Sequence, residues 1–240
     1  MPMRDDKYIE KKIEDFITSY LRMDIFGTVI CCPYWMNKIE DGKVIIRGIY
    51  NGKGTASQIK RALHNHVASS PDKPHILSDP KMLSNFAKME HIGIDCSGLA
   101  YRVLQELVRL KYPHCTVASL NDVFAQGIRR TNANTLTSAP HAMRIDDKTI
   151  SYRLGDLIRI NSSHHVAVIL SSNEERLIYV HSSAVTAQAG VHKSSISITD
   201  ANKSLSFQKW EEKTKTGDNF GKKYFHPDKG DGVYRLKIFT

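Results

Sequence analysis

Ile9, Ile13, Phe16, Ile17, Tyr20 and Leu21 recur at three- and four-residue intervals between charges, which predicts an amphipathic helix packing one face on a core. After Gly27 the apolar positions shorten to the run TVICCPYW, stopped by Pro33. KVIIRGIY follows, a strand closed by the turn NGKG. Helical spacing returns in TASQIKRALHNHV, with Thr55 and Gln58 at capping-box separation. It returns again in SDPKMLSNFAKM, where Asp79 suits the cap and Pro80 the first helical position. A longer helix opens at GIDCSGLAYRVLQ: Leu99, Val103, Leu107 and Leu110 share a face that Leu104 and Val108 widen. SLNDVFAQGIRR reads as another helix and TNANTLTSAP as a polar loop. From RLGDLIRI onward the period becomes two, predicting strands at 156–160, 165–170 and 177–182, then a loop-like tail and a last strand, VYRLKIF. Helices first and antiparallel strands after argue for a single α+β domain over residues 1–240.

Composition narrows the function classes. Lys and Arg number 34 against 25 for Asp and Glu, a formal charge of +9, which suits an anionic partner such as a cell-wall polymer, a nucleic acid or a membrane surface. A solvated basic face explains the same excess, so no nucleic-acid role is assigned. No apolar run is long enough to span a bilayer. MPMRDDKYIEKKIEDF lacks the apolar core of a signal peptide, so the expected location is the cytoplasm, or outside by a route the N-terminus does not show. Cys31, Cys32, Cys96 and Cys115 form neither a disulfide framework nor a paired zinc motif, which leaves reduced thiols as the expectation. His64 with His66, His114 with Cys115 and His164 with His165 lack metal-ligand spacing, so no metal and no cofactor are expected.

Cys96 stands where a thiol can be activated. Asp95 suits the helix N-cap, Ser97 and Gly98 fall in the first turn, and the positive helix end and an imidazole both favour thiolate. Backbone N–H groups there can hold an oxyanion. The histidines come from a predicted hairpin centred near Asn173: His165 lies eight residues before it (173 − 165) and His181 eight after (181 − 173). The two imidazoles then face each other to within a residue of register. A base oriented by a second polar side chain is the logic of acyl transfer. Alternation groups His165 with Ala167 and Ile169, and His164 with Val166, Val168 and Leu170. Small Ala167 leaves room for a helix end, which favours His165 as the base; a one-residue slip would make it His164.

In order, GIDCSGLAY, GDLIRI, HHVAVIL and YVHSS resemble the NlpC-type cell-wall endopeptidases, a clan of papain-like cysteine peptidases. The resemblance implies a papain-like fold in which the cysteine-bearing helix packs on a small antiparallel sheet bearing the histidines. It implies Cys96 as nucleophile, His165 as general base and acid, and His181 as the orienting residue. The implied reaction is amide cleavage through a thioester, in peptidoglycan stem peptides at a D-amino acid or diamino acid linkage. Many members carry Pro-Tyr-x-Trp-Gly-Gly shortly before the cysteine. Here PYWMN offers Tyr34, 62 residues ahead of Cys96 (96 − 34) and without the Gly-Gly, which implies an insertion at about 38–89. In some relatives the tyrosine and the residues matching Asp95 and Ser97 bind the free amine of a stem peptide, making Tyr34, Asp95 and Ser97 substrate-binding candidates. An amidase, deamidase or acyltransferase uses the same hardware, and a non-catalytic module binding an anionic polymer is the reading from another class.

Overall fold

The computed structural model describes residues 5–113, 119–145 and 148–240, so His114 and Cys115 lie outside the described residues. The amphipathic start folds as α1 (Asp6–Leu21), capped by Asp5 and burying Ile9, Ile13, Ile17 and Tyr20. β1 (Met23–Ile25) and β2 (Thr28–Ile30) form a hairpin, and β3 (Lys38–Glu40) with β4 (Lys43–Ile46) forms a second, exposed one. α2 (Ala56–Ser69) carries the expected capping box of Thr55 and Gln58. α3 (Lys73–Ile76) and α4 (Pro80–Met89) follow, α4 capped by Asp79. Next come α5 (Cys96–Lys111), α6 (Leu120–Val123) and α7 (Ala133–Leu136).

β5 (Ala142–Arg144), β6 (Leu157–Ile160), β7 (His165–Ser172), β8 (Arg176–Ser183), β9 (Gly190–Ser197), β10 (Lys209–Trp210), α8 (Phe220–Tyr224) and β11 (Gly232–Leu236) complete the chain. All seven strands of this half join one antiparallel sheet in the order β10-β9-β8-β7-β6-β11-β5. The class is α+β, as the change of period predicts. Several elements differ from expectation, and α7 is a helical turn, with Ala133 and Leu136 buried, inside the expected polar loop TNANTLTSAP. KVIIRGIY yields only the short, exposed β4. SLNDVFAQGIRR holds a single α-helical turn, which ends where Phe124 leaves helical dihedrals at φ −113° and ψ +83°. β9, unanticipated, is as long as β7 and β8.

Alternation along the strands divides the interior in two. Val166, Val168 and Val180 face α5 and pack with Leu99, Val103 and Leu107. Ala167, Ile169 and Tyr179 face the other way, onto Trp210, Phe220 and Val233. α2 and α4, inside the segment 38–89, send Ile59, Leu63, Leu83 and Phe86 into the first core, so that segment is built into the domain. Among the described residues no helix is long and apolar enough to cross a membrane.

Candidate active site

Cys96 is the first residue of α5, and the chain before it fixes its position. Ile94 bridges to Tyr34 and to Lys53; its amide donates to the Pro33 carbonyl at 2.9 Å. Tyr34 therefore sits beside Ile94, two positions before the cysteine, despite the long sequence gap. The turn NGKG runs under the helix end: Gly52 takes φ +72°, and a Cβ there would stand 2.6 Å from the Trp35 carbonyl oxygen. Gly98 is as constrained, since its Cβ would fall 2.2 Å from the Gly52 carbonyl oxygen. These two glycines let Lys53 reach inward, where its ammonium donates to Asp95 Oδ1 at 2.8 Å and to Ser97 Oγ at 2.6 Å. The same carboxylate oxygen accepts from the Gly98 amide at 2.6 Å, closing the N-cap. Lys53, Asp95, Ser97 and Cys96 are all buried.

The sheet opens to receive this helix end. β6 pairs with β7 as far as Ile160↔His165, and β8 with β9 as far as Ser183↔Gly190. Pairing between β7 and β8 runs only to Val168↔Val180. Beyond that point Ser182 Oγ donates to the Ile94 carbonyl at 2.7 Å, and the Val166 amide lies against Cys96 Sγ. The thiol thus enters the seam between the two strands, beside the backbone of His165.

A bulge sets the histidines. Near the turn the register is Ser171↔Ile178 and Ser172↔Leu177; continued without interruption it would put His181 opposite Val168, on the α5 face. The shift between Ile169 and Ser171 changes the parity. Carried one step past Val168↔Val180, the new register sets His181 opposite Ala167, with His165 two residues along on the same face. The rings are diagonal neighbours rather than directly opposed, and His165 Nε2 meets His181 Nδ1 at 2.7 Å. The Ala167 face looks onto Phe220 and Trp210, not onto α5, so the helix approaches through the seam rather than over Ala167.

Behind His181 the contacts continue. Its Nε2 lies 3.0 Å from Glu212 Oε1 and 2.9 Å from His192 Nε2, His192 Nε2 is 2.6 Å from the same carboxylate oxygen, and Tyr179 donates its hydroxyl to Glu212 Oε2. His192 and Glu212 were not singled out by the sequence. GVHKSSIS offers weak alternation, and Glu212 sits in a charged run.

Burial, then the Asp95 carboxylate, pushes the Cys96 thiol up to about 12, against the pull of Lys53 and the Val166 and Ser97 amides. Burial, then the neighbouring His181, brings His165 down to about 3. Desolvation opposes the charged form of each, so the resting pair is neutral thiol and neutral imidazole. Burial also raises Tyr34, helped by Cys96 and Asp95 nearby. Burial pushes the Glu212 carboxyl up, but His181 and His192 outweigh it and hold it well below the usual range.

A cavity of about 530 Å³ fronts the thiol, lined among others by Asn37, Lys53, Arg129, Arg130, Asn132 and His164. His164 is exposed at its rim, its Nδ1 held by the carbonyls of Asn161 and Ser162 at 3.0 and 3.1 Å. The turn delivering it carries positive φ at Asn161, Ser162 and Ser163. Tyr34 is beside the cluster but outside that lining. No protein-family model matches this chain, and neither does any curated protein or solved structure.

Proposed function

We propose that this chain is a papain-like cysteine hydrolase that cleaves an amide bond through a thioester, with peptidoglycan stem peptides as its substrate. The observation that carries the reading is the seam. A thiol at a helix N-terminus enters the sheet beside His165, whose Nε2 is held by His181. Among the described residues Nδ1 of His165 has no hydrogen-bond partner, which leaves it to act on the thiol. As Sγ adds to the substrate carbonyl, its proton passes to His165. The Gly98 amide is committed to Asp95 and the Ser97 amide lies against Sγ, so the Cys96 amide is the donor left for the oxyanion. His165 returns the proton to the leaving amine as the C–N bond breaks, then activates the water that releases the acid.

The cavity refines the substrate. Asp95 is already paired with Lys53, which suits it less to a substrate amine than the resemblance implies. Arg129 and Arg130 suit a carboxylate instead, as a stem peptide with a D-amino acid or diamino acid end carries. The basic surface suits the anionic wall polymer around it. Incubating the purified chain with muropeptides, and reading products and Cys96 adducts by mass spectrometry, tests the proposal. Turnover with a trapped acyl group on Cys96, abolished in Cys96→Ala, is expected. Neither turnover nor adduct, with muropeptides and with simple N-acyl amides, would sink it.

A further inference from the structure

The three residues behind His181 do more than hold an imidazole. His181 and His192 are direct cross-strand partners on β8 and β9, and Glu212 reaches them from the segment after β10. All three are buried. His181 Nε2, His192 Nε2 and Glu212 Oε1 form a triangle with sides of 2.6, 2.9 and 3.0 Å. Ligands about 2.0–2.1 Å from a cation stand about 2.9 Å apart at right angles and about 3.4 Å apart at tetrahedral angles, so the triangle fits one face of an octahedral sphere better than a tetrahedral one.

The protons do not close this triangle by themselves. His192 Nδ1 lies 3.0 Å from the Gly190 carbonyl, so that nitrogen carries the N–H. In the neutral ring Nε2 is then a lone pair, facing a carboxylate oxygen that only accepts. A single N–H on His181 Nε2 cannot satisfy both neighbours, whereas a cation over the triangle satisfies all three atoms. The outer contacts are those that orient metal ligands: His192 Nδ1 on Gly190 O, His181 Nδ1 on His165 Nε2, and the Tyr179 hydroxyl on Glu212 Oε2.

We infer that His181 Nε2, His192 Nε2 and Glu212 Oε1 bind a divalent first-row transition-metal ion, zinc or iron by donor type, and that the bound ion switches the thiol hydrolase off. The second half rests on the functional reading above. It follows from where the ring protons must sit. Without metal, His181 donates from Nε2 to Glu212 and accepts at Nδ1 from His165 Nε2, leaving the Nδ1 lone pair of His165 open for the Cys96 proton. With metal on Nε2, His181 carries its proton on Nδ1 and donates it to His165 Nε2. His165 then keeps its own proton on Nδ1 and cannot accept another. The hydrogen bond between the two rings reverses, and the base becomes a donor.

The test uses the whole chain, stripped with a chelator and titrated with Co²⁺. Visible d–d absorption saturating at one ion per chain is expected, with a rise in melting temperature. Zn²⁺ should displace the Co²⁺ and Cys96→Ala should leave the binding unchanged. Glu212→Gln and His192→Asn should lose it, and Tyr179→Phe should weaken it about tenfold. No saturable absorption and no thermal shift in the wild type, up to millimolar ion, would overturn the site. Binding that survives Glu212→Gln but not Cys96→Ala would overturn it as well. For the switch, saturating Zn²⁺ should abolish hydrolysis in the wild type, while His192→Asn keeps its own metal-free rate. Inhibition that persists in His192→Asn, or an uninhibited wild type with metal bound, overturns the switch while the site stands. A metal-free wild type with no hydrolysis overturns the functional reading, and with it the switch, leaving the site to be judged on binding alone.

Discussion

Two buried carboxylates flank the seam between β7 and β8, and they are neutralised by different means. Asp95 is met by the ammonium of Lys53, the hydroxyl of Ser97 and the amide of Gly98. Glu212 is met by two imidazoles and a phenol. Both environments penalise an unpaired charge. The first cluster is closed by a direct ammonium–carboxylate contact, with the Gly98 amide on the same oxygen, and acts as a fixed brace under the helix end. An imidazole binds either a proton or a metal at the same nitrogen, so the second cluster has several states. The brace holds Cys96 in place, and on the proposed reading the cluster with a choice controls His165.

The contrast can be broken from either side. The largest effect is expected on chemistry: His165→Ala should cut the hydrolysis rate about 10³-fold, measured as initial rates on one muropeptide. A loss of tenfold or less would separate the paired imidazoles from the reaction. Next comes the brace. Lys53→Met strands the Asp95 carboxylate in the interior and should cost about 3–5 kcal/mol in urea denaturation, with Asp95→Asn added in the same chain recovering part of it. Glu212→Gln keeps an acceptor and should cost only about 1–3 kcal/mol. Equal costs would mean that the two clusters do not differ in kind.

A smaller effect concerns pH. Burial raises the Cys96 thiol, and burial together with Cys31 raises Cys32 well above its usual value. The folded chain keeps these protons after the unfolded chain has released its own, from about pH 8.5 upward. That stabilisation is complete below this pH and is lost as the pH rises, toward about 12 for Cys96. Urea midpoints should therefore fall with rising pH above 8.5, and Cys32→Ala should flatten the slope. A slope unchanged by that substitution would remove Cys32 from the account. The smallest effect is expected at His164, whose substitution by Ala should alter KM while leaving kcat within about twofold. A collapse of kcat would move the base to the cavity rim.

The sequence was most informative where one periodicity ran long enough to dominate. α5, β7 and β8 are legible because Leu99, Val103 and Leu107, and then the alternating strands, each have one buried face to satisfy. The nearness of Tyr34 to Cys96 was legible only through resemblance, since bridging to Ile94 depends on the tertiary fold. Lys53 was hidden inside a turn signal: NGKG reads as a chain reversal, and nothing local says that the reversal buries an ammonium. His192 and Glu212 were hidden because β9 carries serines on both faces and Glu212 has a charged residue on either side. The bulge was invisible within HVAVIL, whose apolar residues continue unbroken through it.

That bulge governs which length changes this hairpin can accept. Adding or removing two residues at its tip would leave both histidines pointing the same way. Adding or removing one would send His181 to the opposite surface of the sheet, unless a second irregularity absorbed the change. Chains descended from the same ancestor should therefore vary the spacing between these histidines in even steps, or in odd steps that gain or lose a bulge. A search keyed to one fixed spacing would overlook them.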